Sequence, residues 1–261
     1  MATRSNFTED YNRLRNHLPE AGSLWGILRI LILPILLFLF VSQFFLTLDI
    51  AGGIWILDAE VLVLTLAFLS LYLFFRLKEP LKEKYGEGAY ALALKRFIVP
   101  GLTLIVIVLV RIRFIGGPMI PRWIVNPAGI LLGWLFIVVG IVLWVRAVQA
   151  LGIDSLTMTY VYFPSEGKRT ESAIYQVLRH PIYGAALRIA LGLALINGSW
   201  FALTLAILFG LYLWGWVRLV EEKELIDRFG PSYEEYRKRT PAFCPRLRDV
   251  GRFLRFLLKG S

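Results

Sequence analysis

The stretch WIVNPAGILLGWLFIVVGIVLWV, residues Trp123–Val145, contains no charged side chain in 23 positions. A helix needs about 20 predominantly apolar residues to cross the hydrocarbon core of a bilayer. Backbone polar groups must be satisfied inside that core, so a segment of this length and composition is expected to cross it as a helix. The stretch therefore predicts an all-α, multi-spanning membrane protein, provided that other segments of the chain have the same character.

Apolar segments recur on both sides of this stretch. The upstream segments are Leu24–Leu48, about Gly53–Phe75, and the shorter Phe97–Val110, which Pro100-Gly101 interrupts. Downstream, Ile182–Val217 is too short for two full spans and has Asn197-Gly198-Ser199 at its middle, so it predicts a hairpin of two shortish helices. The chain is thus expected to have about six membrane spans. An amphipathic, charged helix is expected to follow from Arg218 to about Thr240-Pro241.

Composition supports a membrane protein and limits its partners. Hydrophobic residues make up 57% of the 261 residues and charged residues 18%, whereas soluble domains have roughly a quarter charged residues. The net charge of +10 lies in connections and tails, where it can face anionic lipid headgroups. Basic residues divided among membrane-flanking loops argue against a nucleic-acid partner. The single cysteine, Cys244, excludes an intrachain disulfide, and no metal is expected.

The distribution of Lys and Arg predicts the orientation of the chain. These residues favour the cytoplasmic side of membrane proteins. The rule places the N-terminus, the basic loop Arg76–Arg96, residues 146–181 and the C-terminal tail on that side. Both termini are therefore expected to be cytoplasmic, in the inner or plasma membrane if the protein is prokaryotic. Arg111, Arg113 and Arg122 then fall on the far side, which weakens the assignment without reversing it.

The part of the chain that carries chemical information is Tyr175–Pro245. It reads YQVLRHPIYGAALR, then an apolar hairpin, then RLVEEKELIDRFGPSYEEYRKRTPAFCP. The order is Tyr-x4-His-Pro-x-Tyr, two apolar helices, Glu-Glu-x2-Leu, Phe-Gly-x2-Tyr-x2-Tyr and Pro-x3-Pro. This order and spacing resembles the isoprenylcysteine carboxyl methyltransferases and the phospholipid methyltransferases. The resemblance covers about seventy residues, and the upstream spans match only as generic membrane helices.

The resemblance implies that S-adenosylmethionine is the cofactor and that a lipophilic molecule is the methyl acceptor. The acceptor would be a prenylcysteine-like carboxylate or a lipid headgroup, which enters laterally from the lipid. The cofactor-binding residues that the resemblance implies are Lys168, Arg169, Thr170, Tyr175, His180, Pro181, Ile182, Tyr183 and Glu221. The segment at 167–170 departs from the family pattern because it is more basic, and Ala173 stands where the family has a glycine.

The residues around His180 have a plausible chemistry of their own. Pro181 suits the first turn of a helix, and the free N–H groups of that turn favour an anion such as a cofactor carboxylate. Arg179, His180 and Tyr183 would add hydrogen-bonding groups at the same point. The alternative is that Arg179 and His180 are ordinary interfacial residues and that Tyr183 belongs to an aromatic belt.

Two adjacent carboxylates, Glu221 and Glu222, follow directly after an apolar helix. Such groups are costly beside a membrane unless they meet a cation or hydroxyl groups. The resemblance assigns Glu221 to the cofactor, and Arg218 and Glu222 are the catalytic candidates, with Glu222 viewed as a binding group rather than a base. The family's substrate arginine falls on Val217 here, so Arg218 is one residue out of register. Pairing of surface acids with Arg218 is the alternative.

Other polar and aromatic residues leave two interpretations open. Phe229, Tyr233 and Tyr236 follow a helical spacing that suits either the wall of an adenine pocket or ordinary packing. Arg188, inside the hairpin, is either functional or extends to the interface. Asp58 and Glu60 are expected at the outer interface rather than in a catalytic site.

The predicted organisation has three parts: a cytoplasmic segment at residues 1–23, N-terminal transmembrane helices at 24–150, and a cofactor-binding methyltransferase core at 151–261. Two rival functions remain open at this stage. One is a membrane reductase of the sterol-reductase type that uses NADPH, and the other is a non-catalytic relative with the same scaffold. The identity of the acceptor and the oligomeric state do not follow from the sequence.

Overall fold

The computed structural model describes residues 7–52, 55–121, 127–151, 156–164 and 173–260. Its main helices are α1 (Phe7–His17), α2 (Leu24–Ala51), α3 (Ile56–Arg76), α4 (Lys78–Phe114), α5 (Pro127–Leu151), α6 (Pro181–Asn197), α7 (Trp200–Phe229), α8 (Pro231–Arg239) and α9 (Val250–Lys259). Within the described ranges there is no β-sheet, and a single isolated bridge joins Met119 to Ser199. The prediction of an all-α fold is confirmed.

Five helices, α2, α3, α4, α5 and α7, are long and apolar enough to cross a membrane. Helix α6 is also apolar but has only 17 residues. The chain is therefore a multi-pass membrane protein, and the number of spans stays a prediction. Helix α2 shows the lipid-facing character most clearly, since Phe40 is 73% exposed and only Gly26, Val41 and Phe45 are buried in it.

The predicted hairpin turn is confirmed and is fixed by specific hydrogen bonds, but only α6 is short, because α7 has 30 residues. Gly198 adopts the left-handed conformation, with φ of +76°, that ends α6. The Asn197 side-chain amide donates to the carbonyls of Arg113 and Ile115 over 2.9 and 3.0 Å. The Ser199 hydroxyl accepts from the amide of Ala202 over 3.1 Å and caps α7. The turn is thereby tied to the end of α4.

Two predictions about the third span are wrong. The segment Arg76–Arg96 was expected to be a loop and the Pro100-Gly101 pair an interruption, yet helical turns run through Lys78–Phe114. A π turn at Leu94–Ile98, in which the amide of Val99 bonds to the carbonyl of Leu94, precedes the proline. Pro100 then lies in the first turn of the following α segment, where its missing N–H is tolerated.

The charged helix expected from Arg218 to Thr240 is not continuous. Gly230 has φ of +58° and separates α7 from α8. Pro231 then begins α8, as proline favours a first turn. Helix α9, beyond the expected end of that helix, was not predicted. It packs Phe253, Phe256 and Leu257 on α5 and on the 3-10 turn Ala173–Gln176.

Helices α5 and α6 approach closely through small residues. A Cβ atom added to Gly133 would lie 2.9 Å from the Gly192 carbonyl oxygen, and one added to Gly192 would lie 2.6 Å from the Gly133 oxygen. Small residues at facing positions let membrane helices make backbone contact and gain van der Waals energy. A larger side chain at either glycine would force α5 and α6 apart.

An ion-pair cluster lies between α2, α3 and α4, at the hairpin-turn end of the bundle. Arg111 of α4 donates to Glu60 of α3 over 2.6 Å and to both carboxylate oxygens of Asp49 of α2 over 2.6 and 2.9 Å. The guanidinium also lies 4.7 Å from the ring centroid of Phe45. Glu60 is fully buried against its neighbours, while its expected position at the outer interface stays a prediction. Because its charge is compensated here, Arg111 is a structural residue.

Candidate functional site

The start of α6 and the end of α7 meet at the opposite end of the bundle. The chain entering α6 is held by the C-terminal segment, since the amides of Arg179 and His180 donate to the carbonyls of Pro241 and Ala242 over 2.9 and 3.1 Å. Pro181 is the first residue of α6. Arg179, His180, Glu221 and Glu222 come together here, and we call them the α6–α7 cluster.

His180 lies between the two carboxylates. Its Nδ1 is 3.5 Å from Glu221 Oε1, and its Nε2 is 3.4 Å from Glu222 Oε1. The imidazole is 5% exposed. Burial alone lowers the pKa of His180, but Glu221 and Glu222 outweigh it and raise the pKa above its ordinary value. The protonated imidazole is therefore favoured by the two carboxylates.

Glu222 is enclosed by cations. Arg179 Nη1 lies 2.5 Å from Glu222 Oε1, and the guanidinium groups of Arg218 and Arg237 lie 3.8 and 3.7 Å from Oε2. Glu222 itself is 1% exposed, while the side chain of Arg218 is 53% exposed. Three arginines and His180 thus surround one buried carboxylate with positive charge, and Arg218 is the partner that also reaches the surface.

A π turn lies directly before Glu222 in α7, and Glu221 is its last residue. Within Val217–Glu221 the helix contains one wide turn, in which the amide of Glu222 bonds to the carbonyl of Val217. Successive residues of a regular α-helix point about 100° apart, so adjacent carboxylates diverge. The wide turn changes the register at this point, and both side chains contact His180. Such turns occur often at functional sites.

Aromatic residues surround the α6–α7 cluster. The His180 and Tyr183 rings stack with centroids 5.8 Å apart, and the Tyr183 hydroxyl accepts from Trp216 Nε1 over 3.2 Å. The Tyr236 hydroxyl donates to the carbonyl of Tyr175 over 2.6 Å, and Tyr233 is buried. The break at Gly230 separates Phe229 from these two tyrosines, so the three do not form one helical stripe.

Several buried polar atoms in this region have no hydrogen-bond partner among the described residues. They include Glu221 Oε2 and the hydroxyls of Tyr175 and Tyr233, together with atoms of Arg179, His180, Glu222 and Glu224. Burial, followed by the neighbouring Tyr236 and Glu221, raises the pKa of Tyr175, so its hydroxyl stays protonated and can donate. Buried polar groups are rarely left unpaired. A carboxylate oxygen and two hydroxyls fit a ligand that carries both a cation and hydroxyl groups, as S-adenosylmethionine does.

The other residues implied by the resemblance have mixed outcomes. Ile182 lies half buried in the first turn of α6. Lys168, Arg169 and Thr170 lie outside the described residues. Arg237 and Trp216 also belong to the site, although no motif indicated them. An arginine in a charged helix and a tryptophan in an apolar helix are common, so neither gives a signal in the sequence. Arg188 donates to the carbonyls of Gly184 and Phe243 over 2.6 and 3.0 Å, so it ties the C-terminal segment to α6.

An apolar groove of about 510 Å³ lies between α3 and α7, beside the α6–α7 cluster. Its lining includes Phe68, Tyr72, Leu208, Tyr212, Trp216 and Val220. Trp216 connects the groove to the cluster through its bond to Tyr183. A second groove, of about 390 Å³, lies between α2 and α4. Neither groove has a residue of the cluster in its lining, but the first is linked to the cluster through Trp216 and Tyr183. The first groove is therefore the one placed to serve the site.

Comparisons with known proteins match one segment of this chain to methyltransferases. Residues 128–232 match the model of the phospholipid methyltransferase family. A protein-S-isoprenylcysteine O-methyltransferase of Schizosaccharomyces pombe is 37% identical over 75 residues, which are 28% of this chain and 30% of that protein. The chain therefore matches about a third of the length of this relative. No solved structure matches. The resemblance inferred from the motifs is confirmed for this segment, which contains α6 and α7.

Proposed function

We propose that this chain, whose segment 128–232 matches the phospholipid methyltransferase family, is an integral membrane methyltransferase that uses S-adenosylmethionine. The observation that carries the proposal is the buried α6–α7 cluster, with unpartnered polar atoms, beside an apolar groove. A polar cofactor and a lipophilic acceptor would meet at this point. The matching family and the matching relative are both named methyltransferases, and neither favours the reductase alternative.

The cofactor, when bound, supplies a methyl group on a sulfonium: the acceptor atom bonds to the methyl carbon as the carbon–sulfur bond breaks and sulfur keeps the electron pair. The chain mainly has to align the two reactants and exclude water. In our proposal Glu221 binds the cofactor's cation or its ribose hydroxyls, and Tyr175, His180 and Tyr183 contribute hydrogen bonds. The first turn of α6, with Pro181 and Ile182, would bind the carboxylate of the cofactor.

The roles of the remaining candidates are also proposals. Lys168, Arg169 and Thr170 would contact the cofactor. The burial of Glu222 against Arg179 favours a positioning role, in which it orients Arg179 and His180, over the catalytic role expected from the sequence. Arg218 would contact the acceptor, because it is exposed beside Glu222 and Leu219, and Leu219 lines the groove.

The acceptor in this proposal is a lipid headgroup or a prenylcysteine-like carboxylate whose chain occupies the groove between α3 and α7. The groove is almost entirely apolar in its lining, as a hydrocarbon chain requires. The volume lies within the range of about 300–1,000 Å³ that is usual for small-molecule sites. Lateral entry would let the acceptor reach Trp216 without leaving the bilayer.

The cytoplasmic placement of the site and of both termini belongs to the same proposal. The division into residues 1–23, 24–150 and 151–261 also stays a prediction. Cysteine labelling tests the orientation in a Cys244→Ser background. Met119 and Leu247 are 67% and 93% exposed and lie at opposite ends of the bundle. Met119→Cys should react from outside the cell and Leu247→Cys only from the cytoplasm, and the reverse pattern would invert the orientation.

Binding of the cofactor is the decisive test of the proposed function. Purified protein in detergent should bind S-adenosylmethionine or its demethylated product in calorimetry, and NADPH should give no saturable heat. Lipid extract incubated with labelled S-adenosylmethionine should then yield a methylated product that mass spectrometry identifies. Saturable NADPH binding without binding of either methionine derivative would refute a methyltransferase.

A further inference from the structure

Helix α9 has three distinct faces. At about 100° per residue, its side chains fall into groups centred about 120° apart. Phe253, Phe256 and Leu257 are buried against the protein. Leu254 and Leu258 are 50% and 79% exposed on a second face. The third face is basic and exposed, and it consists of Arg252, Arg255 and Lys259.

The exposed leucine face has no cover in the described part of the chain. Leu247, in the turn just before α9, is 93% exposed and adds to the apolar surface at this point. A helix in water with one face on the protein would present polar residues on both of its other faces. Two separate exposed faces, one apolar and one basic, are typical of a helix that lies in a membrane interface.

The position of α9 brings these faces to the level of the bilayer surface. Its buried residues pack with Leu143 of α5, a helix long enough to cross the membrane, and with Ile174, just before Tyr175. Leu143 lies eight residues before the end of α5, which corresponds to about 12 Å of helix. The Arg188 guanidinium lies 5.4 Å from the Phe253 ring centroid. Helix α9 is therefore held beside the membrane-spanning helices, at the same end of the bundle as the α6–α7 cluster.

The charge on α9 favours an anionic partner. Asp249 is the one acidic residue between Arg246 and the end of the sequence, and its Oδ1 lies 3.7 Å from Arg252 Nη1. In the described ranges no ion pair involves Arg255 or Lys259. Each Lys or Arg near an anionic bilayer contributes roughly 1 kcal/mol to membrane attraction. The basic face therefore suits lipid phosphates better than an uncharged surface.

We propose that α9 is an in-plane membrane anchor that binds anionic lipid. The leucine face enters the acyl-chain region, while the basic face contacts the headgroups of anionic phospholipids. Through Ile174 and Phe253 this contact supports the turn that carries Tyr175 and the start of α6. The proposal rests on the geometry of α9 and not on the methyl-transfer reaction, so it stands or fails separately from the proposed function.

Depth-dependent quenching tests the orientation of α9 in the full-length protein. Leu254→Cys and Arg255→Cys, each in a Cys244→Ser background, are labelled with a nitrobenzoxadiazole dye and reconstituted into phosphatidylcholine–phosphatidylglycerol vesicles. A spin label on the lipid acyl chains should quench position 254 more strongly, and aqueous iodide should quench position 255 more strongly. Equal iodide quenching at both positions would overturn the proposal. Shielding of position 254 from both quenchers would also overturn it, in favour of a protein partner such as a second copy.

Native mass spectrometry tests the lipid preference. Wild-type protein in detergent, given equimolar phosphatidylglycerol and phosphatidylcholine, should retain more phosphatidylglycerol. The variant Arg252→Gln/Arg255→Gln/Lys259→Gln should lower the ratio of the two adducts by about fivefold or more. The matched control Arg76→Gln/Lys84→Gln/Arg96→Gln removes three exposed charges elsewhere and should leave the ratio near the wild-type value. An equal loss in both variants, or no loss in the first, would refute specific binding by α9.

Discussion

The two buried ionic clusters contain the same kinds of side chain but differ in how closely their charged groups are paired. In the cluster of Asp49, Glu60 and Arg111, all three guanidinium nitrogens donate hydrogen bonds of 2.6 to 2.9 Å. In the α6–α7 cluster, most of the nitrogen–oxygen distances are between 3.4 and 3.8 Å. Among the described residues, Glu221 Oε2 and two tyrosine hydroxyls nearby have no hydrogen-bond partner, whereas in the first cluster one carboxylate oxygen, Glu60 Oε2, has none.

We interpret this difference as one between a structural cluster and a candidate ligand site. A tightly bonded arginine between two carboxylates joins three helices, but it leaves few groups for a ligand. Loosely paired carboxylates and free hydroxyls are costly in an empty buried site, and a polar ligand would compensate them. The hypothesis is that the first cluster acts on stability and the second on binding. The following predictions test this division, starting with the largest expected effect.

Removal of Arg111 should destabilise the protein most. Arg111→Ala leaves Glu60 buried without its cation, and breaking a buried ion pair costs about 3–5 kcal/mol. The free energy of unfolding, measured by titration with sodium dodecyl sulfate in mixed micelles, should fall by that amount. Arg113→Ala is the matched control, because Arg113 lies exposed on the same helix. Equal effects of the two substitutions would contradict a structural role for the cluster.

Removal of the Glu221 charge should weaken cofactor binding with little change in stability. Glu221→Gln keeps nearly the same volume, and loss of a hydrogen bond to a charged group costs roughly 1.5–3 kcal/mol. The dissociation constant for S-adenosylmethionine should rise about ten- to a hundredfold in calorimetry. Glu234→Gln, at an exposed position of α8, should leave it unchanged. Wild-type affinity in Glu221→Gln would remove Glu221 from the cofactor site.

The stabilising effect of His180 should depend on pH. Because its pKa is raised in the folded protein, the ion pairs with Glu221 and Glu222 are fully present below the ordinary histidine pKa of 6.5. Their contribution is lost as pH rises through the higher pKa of the folded state. The difference in melting temperature between wild type and His180→Gln should therefore be larger at about pH 6 than at about pH 9. A difference that grows with pH would show that the imidazole is buried neutral.

The smallest effect on stability is expected for Arg218→Ala. Its guanidinium is half exposed and 3.8 Å from Glu222, and exposed pairs contribute about 0–1 kcal/mol. Affinity for S-adenosylmethionine should stay within about twofold, because Arg179 still pairs with Glu222. Turnover of the true acceptor should fall. Should Arg218→Ala lose cofactor binding while Glu221→Gln retains it, the roles assigned to α7 are wrong.

Single-residue signals explain where prediction from sequence succeeded and where it did not. The turn at Asn197-Gly198-Ser199 was predicted because polar and glycine residues in the middle of an apolar block usually indicate a turn between two helices. Pro100-Gly101 gave a similar signal and was misread, because the π turn before it and contact with α3 keep α4 continuous. Tertiary packing, and not composition, decides whether such a segment forms a turn or continues a helix.

Prediction of the candidate site from the sequence was limited in the same way. Motif order brought out Tyr175, His180, Tyr183 and Glu221, since each recurs at a fixed spacing in the resembling family. The contribution of Arg237 and of Trp216 could not be predicted, because each reaches the site from a helix with several similar side chains. The burial of Glu222 was hidden for another reason: it depends on Arg179, His180 and Arg237, which reach it from other segments of the chain.

By itself the sequence determined the membrane class, the helical fold and the related family, because apolar length and motif order are properties of the chain read in one dimension. Only the tertiary structure decided that Glu60 and Arg111 are paired, that Glu222 is enclosed by arginines, and that α9 exposes a leucine face. These facts depend on which residues meet across helices. Burial and pairing set the free energy of a charge, and neither is defined until the helices pack together.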